Sequence, residues 1–219
     1  MVSEGHTIAD IGTDHAYVPI HLVHQGHSPR AIAMDINRGP LKKAQNNIAI
    51  YGLGNLIETR LSNGLEKLCD DEVQTIIMAG MGGDLIVRIL TEGSHALQIP
   101  KELILQPQSE WEKVRHALHQ MGYRIEKEDM IEEDGKYYVA IRAIQGFQSY
   151  YDEFQYVFGD YLLRKRNSVL KEYLLKEKKT YTRIVQELHE TERLQRKERI
   201  AQINQYLHYI EEALDYYGM

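Results

Sequence analysis

The stretch IADIGTDHAY, residues 8–17, decides the fold class of this chain. An apolar, β-rich run ends at a glycine and a helical pattern follows, so a strand passes through a tight turn into a helix. Gly12 has no Cβ, which lets a ligand approach the backbone and makes a positive φ accessible. Such a turn would lie at the carboxyl end of a strand, where open α/β sheets bind nucleotide-like ligands. Taken alone, the stretch also fits an ordinary strand–helix turn with a capping aspartate.

The strand–helix pattern repeats through residues 1–150. The β-rich runs are 7–11, 31–34, 57–61, 75–78 and 103–105, and the helical patterns between them are 18–24, 41–51, 85–90 and 111–121. This alternation predicts a parallel sheet with helices on both faces. Residues 122–131 and 137–144 flank an Asp-Gly pair, which predicts an antiparallel hairpin. Five parallel strands followed by an antiparallel pair are typical of methyltransferase domains with a nucleoside cofactor, more than of dinucleotide oxidoreductases.

Composition excludes several classes of protein. The chain has 219 residues, 32 acidic and 26 basic side chains, a formal charge of −6 and one cysteine. One cysteine cannot form an internal disulfide, so a disulfide-stapled secreted scaffold is excluded. No apolar stretch approaches the length of a transmembrane helix, and the N-terminus lacks the pattern of a signal peptide. We therefore expect a soluble, cytoplasmic protein that uses no membrane.

The charge is distributed unevenly along the chain. Residues 1–150 hold 14 basic and 20 acidic side chains, whereas residues 151–219 hold 12 of each. Residues 164–183 concentrate eight bases against two acids. The average charge argues against a simple basic nucleic-acid coat protein, but this local run does not. We predict two domains, 1–150 and 151–219.

The second domain has helical periodicity. Apolar positions spaced 3, 4, 3 and 4 form one seam of a coiled coil at Ile200, Ile203, Leu207, Ile210 and Leu214. A less regular seam precedes it at Leu163, Leu170, Leu174, Tyr181, Ile184 and Leu188. These seams predict two long antiparallel helices with a turn near residues 190–198. A single continuous helix is the alternative, since no Gly or Pro excludes it.

Two aspartates point to the chemistry of the ligand. Asp14 and Tyr17 occupy the positions of the second and third glycines of a dinucleotide fingerprint, and a carboxylate beside a pyrophosphate would be repulsive. Asp14 suits a positively charged ligand instead, such as S-adenosylmethionine with its sulfonium and amino groups. Asp35 lies 23 residues after Gly12, near the spacing expected of an acid that binds ribose hydroxyls. Its alternative role is to cap the next helix.

The other strand ends are also polar or glycine-rich. Asn63 can donate to and accept from an adenine edge, and the glycines of residues 79–84 leave room for a planar base beside the backbone. Because the carboxyl ends of parallel strands share one rim, these residues predict a single site. The predicted cofactor-binding residues are Asp10, Gly12, Asp14, His15, Asp35, Ile36, Asn63, Gly64, Ala79, Gly80, Met81 and Gly82.

Four motifs together resemble a known family. They are DIGTDHAY at residues 10–17, AGMGG at 79–83, LQP at 105–107 and EDGKYY at 133–138. In order and spacing they resemble the bacterial TrmK-like tRNA (adenine-N1)-methyltransferases, which act on the adenine at tRNA position 22. The resemblance covers nearly the whole chain. It implies S-adenosylmethionine as methyl donor, a Rossmann-like class I methyltransferase domain and a C-terminal coiled coil that helps to grip tRNA.

The chain departs from the family pattern in two places. Family members usually carry a basic helix before the first strand, and this sequence begins almost at the strand, so the helix is either cut off or absent. The family motif after the fifth strand usually reads Gln-Pro-Asn, whereas Gln108 stands here in the third place. Any role for position 108 is therefore in doubt.

The resemblance and the chemistry of N1 methylation suggest roles for further residues. Asp14 is the candidate proton acceptor, with His15 and Gln106 as candidates for orienting the substrate, while Asp14 alternatively only holds the cofactor. Tyr17 is placed to stack on a base. The predicted tRNA phosphate contacts are Arg164, Lys165, Arg166, Lys171, Lys178 and Lys179, although a charge run is also compatible with a solvated helix face.

Alternatives for the function remain open. They are a methyltransferase acting on another RNA or a small molecule, and a non-catalytic RNA- or protein-binding module with a vestigial cofactor site. An NAD oxidoreductase fits worst because the fingerprint glycines are missing. The histidines lack neighbouring Cys or clustered carboxylates, so we expect no metal. A monomer is compatible with the sequence, which leaves the oligomeric state open.

Overall fold

The computed structural model describes residues 1–97, 101–189 and 195–219. Seven strands form one sheet in the order β3-β2-β1-β4-β5-β7-β6. The strands are β1 (Ile8–Ile11), β2 (Ala31–Asp35), β3 (Ile57–Leu61), β4 (Thr75–Met81), β5 (Glu102–Pro107), β6 (Tyr123–Glu133) and β7 (Lys136–Gln145). The first five are parallel, and β7 runs antiparallel to β5. All seven predicted strands are confirmed.

The helices alternate with the parallel strands and then fill the C-terminal part. They are α1 (Tyr17–His24), α2 (Arg38–Ile50), α3 (Gly83–Glu92), α4 (Trp111–Gln120), α5 (Glu153–Phe158), α6 (Asp160–Arg164), α7 (Ser168–His189) and α8 (Gln195–Asp215). The four helices predicted before residue 122 are confirmed to within about three residues at each end. Within the described ranges, no helix combines the length and apolarity that crossing a bilayer requires.

Strand β1 lies at the centre of the sheet and positions the site. All four of its residues are buried, and Asp10 is in register with Ala33 of β2 and Ile77 of β4. The chain builds the sheet outward from β1 through β2 and β3, and then returns to the other side of β1 with β4. Such a switch opens a crevice at the carboxyl ends of the two central strands.

The hairpin at the far edge follows the local turn signal. Asp134 and Gly135 both have positive φ, of 51° and 78°. Two consecutive positive φ values define the type I′ turn, whose twist matches that of the flanking strands. The Asp-Gly pair therefore closes β6 and β7 as predicted.

The helical tail differs from the prediction at its start. Leu163 belongs to the short helix α6 rather than to the first long helix, which begins at Ser168. Arg166 between them adopts a left-handed φ of 50°. A non-glycine residue in this region interrupts a right-handed helix, so the seam drawn through Leu163 and Leu170 is wrong as one continuous helix. Helices α5 and α6 were not foreseen.

The predicted turn near residues 190–198 is only partly described. Residues 190–194 lie outside the described residues. Gln195 already begins α8, so the final four residues of the predicted turn are helical. Two separate long helices, α7 and α8, are thus observed.

Side-chain contacts show that α7 and α8 run antiparallel. The Tyr217 hydroxyl donates to the carbonyl of Asn167 at 2.9 Å, just before α7. Further along α7, the ring of Tyr181 meets Tyr206, eleven residues earlier in the chain than Tyr217. Both helices carry buried apolar side chains: Leu170, Leu174, Ile203, Ile210 and Leu214.

The chain divides into two compact units. The first comprises residues 1–127 and 139–148, and its core packs Ile8, Ala33 and Ile77 against the helices α1 and α2. The second comprises residues 128–138 and 149–219. The chain thus passes into the tail two residues before the predicted boundary after Tyr150. The hairpin tip, residues 128–138, joins the helical unit, which the domain prediction did not anticipate.

Candidate active site

The loop after β1 is tied to the end of β2. The backbone N–H groups of Gly12 and Thr13 both donate to the carbonyl of Met34, at 2.8 and 2.9 Å. Gly12 has a φ of +77°, and a Cβ at this position would collide with the terminal methyl of Met81. The positive φ is what requires glycine here, since the Met81 methyl ends a flexible side chain at the last residue of β4. This contact brings two of the predicted motifs together at the crevice.

Asp10 is a buried carboxyl group at the same rim. Its side chain is only 7% exposed. Burial raises the pKa of Asp10 to about 6, and the charge of Asp35 adds to the rise while the nearby Thr13 hydroxyl opposes it. Two neighbouring carboxylates in a poorly hydrated place favour a cationic ligand, which would relieve their repulsion.

Asp14, His15 and Tyr17 form one constellation on the rim. The Nε2 of His15 lies 3.1 Å from Oδ2 of Asp14, and the His15 ring stacks on Tyr17 with centroids 5.1 Å apart and planes 6° apart. Tyr17 remains 65% exposed. The structure thus joins the three residues that the sequence had singled out beside Gly12.

Helix α2 supplies two partners of this loop that sequence reasoning missed. Lys43 places its ammonium 3.9 Å from Oδ1 of Asp14, and the Asn47 amide donates to the carbonyl of His15 at 3.0 Å. Both lie on one face of α2, four residues apart. The only sequence signal was the four-residue spacing of Lys43 and Asn47, which places them on the same face of a helix. That spacing does not indicate which face of α2 meets the loop.

Asp35 at the end of β2 has one oxygen engaged locally. The N–H of Asn37 donates to its Oδ1 at 2.7 Å, just before α2 begins. Its backbone carbonyl accepts from the N–H of Ser62, which ties the rim to β3. Ile36 beside it is 59% exposed, unusual for a large apolar residue at a sheet rim. The helix-entry role predicted as the alternative for Asp35 therefore involves Oδ1.

The β3 end is ordered by short-range bonds. The Asn63 amide group donates to Glu66 at 2.7 Å, while the Ser62 hydroxyl donates to the carbonyl of Gly64 at 3.0 Å. Gly64 has a φ of +54°, and a Cβ there would lie 2.9 Å from a methyl of Ile89. The amide of Asn63 is thus held with its oxygen still available as an acceptor.

A bulge reshapes the β4 end. Ala79 pairs with Gln106 and Met81 with Pro107, so Gly80 is the extra residue, with a φ of +75°. The N–H of Gly80 donates to Oε1 of Gln106 at 2.9 Å. This bond fixes the orientation of the Gln106 amide, whose buried Nε2 has no hydrogen-bond partner within the described residues. Bulges commonly re-aim side chains next to active sites.

Gly83 and Gln108 connect β4 to the segment after β5. The N–H of Gly83 donates to the carbonyl of Ser109 at 3.1 Å, and the N–H of Gln108 donates to the carbonyl of Met81 at 2.8 Å. The side chain of Gln108 is exposed. At position 108 it is the backbone, rather than the amide side chain, that joins the loops.

The basic run of the tail is not uniformly free. Arg164 is paired with the buried Asp160 at 2.7 Å, and Lys178 is paired with Glu211 of α8 at 3.0 Å. Lys171 lies over the ring of Tyr217 and Lys165 over that of Tyr161, at 5.9 and 5.8 Å. Arg166 and Lys179 are exposed. The run therefore contains both structural and solvent-directed bases.

Comparison with known proteins extends this picture to a family. The family model described as "TrmK: tRNA (adenine(22)-N(1))-methyltransferase" matches residues 8–212. A tRNA (adenine(22)-N(1))-methyltransferase of Bacillus subtilis is 35% identical over 173 residues, which is 77% of this chain and 73% of the relative.

Solved structures agree over nearly the whole chain. A putative tRNA (m1A22) methyltransferase of Streptococcus pneumoniae is 34% identical with a TM-score of 0.90, covering 98% of this chain and 95% of that one. A structure of the pneumococcal protein with S-adenosyl-L-methionine gives 33% identity and a TM-score of 0.84, over 97% and 94% of the chains. The fold is thus the Rossmann-like fold of S-adenosylmethionine-dependent methyltransferases, and this chain belongs to the TrmK family.

Proposed function

We propose that this chain transfers a methyl group from S-adenosylmethionine to N1 of the adenine at position 22 of tRNA. The observation that carries the proposal is the rim at the carboxyl ends of β1, β2 and β4, where Asp10, Asp35 and the Gly80 bulge surround the crevice. Family membership over residues 8–212 supports the choice of substrate.

The residues of the rim fit this cofactor. The carboxyl groups of Asp10 and Asp14 would suit the cationic sulfonium and amino groups, and Oδ2 of Asp35 would accept from the ribose hydroxyls. The side-chain oxygen of Asn63 can accept from the exocyclic amine of an adenine. At the Gly80 bulge a Cβ would meet nothing closer than the Gln108 amide nitrogen at 4.0 Å, so the backbone there is open to close approach. The other predicted cofactor contacts, which line the same strand ends, are His15, Ile36, Gly64, Ala79, Met81 and Gly82.

The cofactor, when bound, supplies an activated methyl group on a sulfonium. The protein must hold the target base so that its N1 lone pair faces that methyl group, and such positioning can supply about 7–11 kcal/mol of the barrier. A donor aimed at N1 would block its lone pair. The oxygen of the Gln106 amide already accepts from Gly80. We therefore assign its Nε2 donor to an atom of the base other than N1.

Methylation at N1 makes the base cationic and its exocyclic amine acidic. Asp14 is the proposed acceptor of that proton, with His15 at 3.1 Å orienting the carboxylate. Lys43 places its ammonium 3.9 Å from Oδ1 of the same carboxylate and helps to hold it in position. In this proposal Asp14 accepts the proton and His15 orients the carboxylate, so the two residues act together.

The substrate base must be unpaired or flipped out, because N1 lies on the Watson–Crick edge. Tyr17 presents an exposed ring that is already stacked on His15. Stacking a base on this ring would cost little side-chain entropy, because the Tyr17 side chain is already ordered. The helical unit, which we interpret as an antiparallel coiled coil, contacts the tRNA through bases of the 164–183 run. We place the reaction in the cytoplasm and propose that a monomer carries it out.

The test uses labelled S-adenosylmethionine and unmodified tRNA transcripts, followed by nucleoside mass spectrometry. Transfer to N1 of adenine is expected, and a transcript with guanine at position 22 is the matched control that should receive no label. Label on another base, on a small molecule, or on no substrate despite tight cofactor binding would overturn the proposal in favour of the alternatives named above.

A further inference from the structure

Six of the eight bases of the 164–183 run fall into two groups according to their contacts in the helical unit. The seam residues Leu170, Leu174 and Tyr181, of which the two leucines are buried, lie within an arc of about 40° on α7, given 3.6 residues per turn. Lys176, Lys179 and Arg183 lie within an arc of about 60° on the opposite side. We call these three residues the outward stripe.

The outward stripe is an uninterrupted cationic segment. Between residues 173 and 186 the only acid is Glu177, and its carboxylate accepts from the Tyr206 hydroxyl of α8 at 3.2 Å. That acid is therefore turned into the seam and does not neutralise the stripe. Lys176, Lys179 and Arg183 are all exposed.

Two residues of the outward stripe, Lys176 and Arg183, make side-chain contacts that leave their charge available. Arg183 has an exposed i,i+4 contact with Glu187 at 3.7 Å, a kind of pair that contributes little in water. Lys176 holds its ammonium 5.0 Å above the ring of Tyr137 in the hairpin tip, and that ring packs edge-on against Tyr173. A cation over a ring keeps its charge and its outward donors, so Lys176 is oriented without being neutralised.

Three of the other bases make contacts within the helical unit. Lys178 bridges from α7 to Glu211 of α8, Lys171 covers Tyr217, and Arg164 binds a buried Asp160. Recruiting Arg164 or Lys178 to a phosphate would break an ion pair within the helical unit. Lys171 differs from Lys176 in being only partly exposed where it lies over its ring. All three were predicted from sequence as RNA contacts on the same footing as Lys179.

We propose that the outward stripe of α7, with Lys176 oriented by Tyr137, binds the sugar–phosphate backbone of tRNA, whereas Arg164, Lys171 and Lys178 stabilise the helical unit. Three cations on about 10 Å of rigid helix suit a strand of phosphates and carry no base preference. The inference rests on the proposed function in taking tRNA as the partner.

The test compares two full-length triple variants that lose the same charge. The stripe variant is Lys176→Gln/Lys179→Gln/Arg183→Gln, and the matched control is Arg164→Gln/Lys171→Gln/Lys178→Gln. Binding of tRNA is measured by filter binding between 50 and 200 mM KCl, without turnover. Circular dichroism and S-adenosylmethionine affinity check that both proteins remain folded.

The stripe variant should lower the slope of log Kd against log salt by about two to three, because each phosphate contact contributes about 0.7–0.9. The control should change that slope by less than about one while lowering the melting temperature. Equal loss of slope in both variants, or an unchanged slope in the stripe variant, would overturn the inference.

A second pair of variants tests the role of Tyr137. Tyr137→Phe keeps the ring under Lys176 and should preserve tRNA affinity, whereas Tyr137→Leu should weaken it by about two- to five-fold. Equal affinities for the two variants would refute the orienting role. A protein that binds tRNA through the stripe but does not methylate adenine 22 would sink the proposed function alone.

Discussion

At the scale of single residues, the rim combines carboxylates in different environments. Asp10 is buried and its pKa is raised to about 6, whereas the side chain of Asp14 is 62% exposed and lies beside Lys43 and His15. Asp35 is partly buried and shares one oxygen with a backbone N–H. Burial and neighbours thus separate three chemically identical groups into different roles.

Asp35→Asn should weaken S-adenosylmethionine binding by about 10- to 100-fold, because charge-assisted hydrogen bonds to the ribose are worth about 1.5–3 kcal/mol. Isothermal titration calorimetry measures the change. Asp215→Asn, at the exposed end of α8, is the control and should bind normally. Unchanged affinity in the Asp35 variant would refute the ribose assignment.

Asp10 should make the free protein less stable as the pH rises. Its folded pKa of about 6 lies above the ordinary 3.8, so its contribution is fully favourable below pH 3.8 and is lost as the pH rises through 6. The full effect is about 3 kcal/mol, since one pKa unit is worth about 1.4 kcal/mol. Urea unfolding of the wild type and Asp10→Asn at several pH values isolates it.

The Asp10→Asn variant lacks this titration. From pH 4 to pH 7 its unfolding free energy should therefore rise relative to that of the wild type. A difference that stays constant across that range would show that Asp10 does not carry a raised pKa. Bound S-adenosylmethionine should reduce the effect, because a cationic ligand favours the ionised carboxyl.

At the scale of elements, the β4–α3 turn depends on close backbone approach. A Cβ on Gly83 would lie 2.5 Å from the carbonyl oxygen of Ser109 and 2.8 Å from that of Glu110. Because both obstacles are backbone atoms at the start of α4, neither can rotate away. The first turn of α3 can therefore pack against this loop only with glycine at position 83.

Gly83→Ala should destabilise the protein by about 1–3 kcal/mol, the usual cost of overpacking. Gly82→Ala is the matched control: its Cβ would meet only side-chain atoms, the Ser109 hydroxyl at 3.3 Å and a Glu110 carboxylate oxygen at 3.9 Å, and its φ is ordinary. Thermal unfolding of both variants provides the comparison. Similar melting temperatures would show that the α4 loop moves aside.

Local signals identified most elements, and the failures have physical causes. The Asp-Gly turn and the buried runs were predictable because they depend on neighbours in sequence. The break at Arg166 was not, since nothing in its type indicates a left-handed φ of 50°. The partners of Glu102 were equally hidden: Ser3, Thr75 and Arg142 bind its buried carboxylate from up to 99 residues away.

At the scale of the whole molecule, charge and unit boundaries matter together. The entire −6 belongs to residues 1–150, and the neutral tail carries the basic run. The hairpin tip belongs to the helical unit, where Tyr137 contacts Tyr173 and Lys176. Removing the tail would therefore take away the partners of the tip as well.

Removal of residues 151–219 should leave S-adenosylmethionine affinity within about threefold and reduce tRNA affinity by at least about tenfold, since nucleic-acid affinity is largely electrostatic. Calorimetry and filter binding measure the two affinities. Hydrogen exchange should also rise in residues 128–138, which lose their packing. Equal tRNA binding by the shortened protein would show that the tail is only structural.

The sequence by itself determined the α/β order, the rim that carries Asp10, Gly12, Asp35 and Gly80, and the two-part design. It could do so because parallel strands bring their carboxyl ends to one edge whatever the packing details. Only the tertiary structure decided which face of α2 brings Lys43 and Asn47 to the loop, and which bases of the tail stay free. Those outcomes depend on contacts between segments distant in the chain, which local periodicity does not encode.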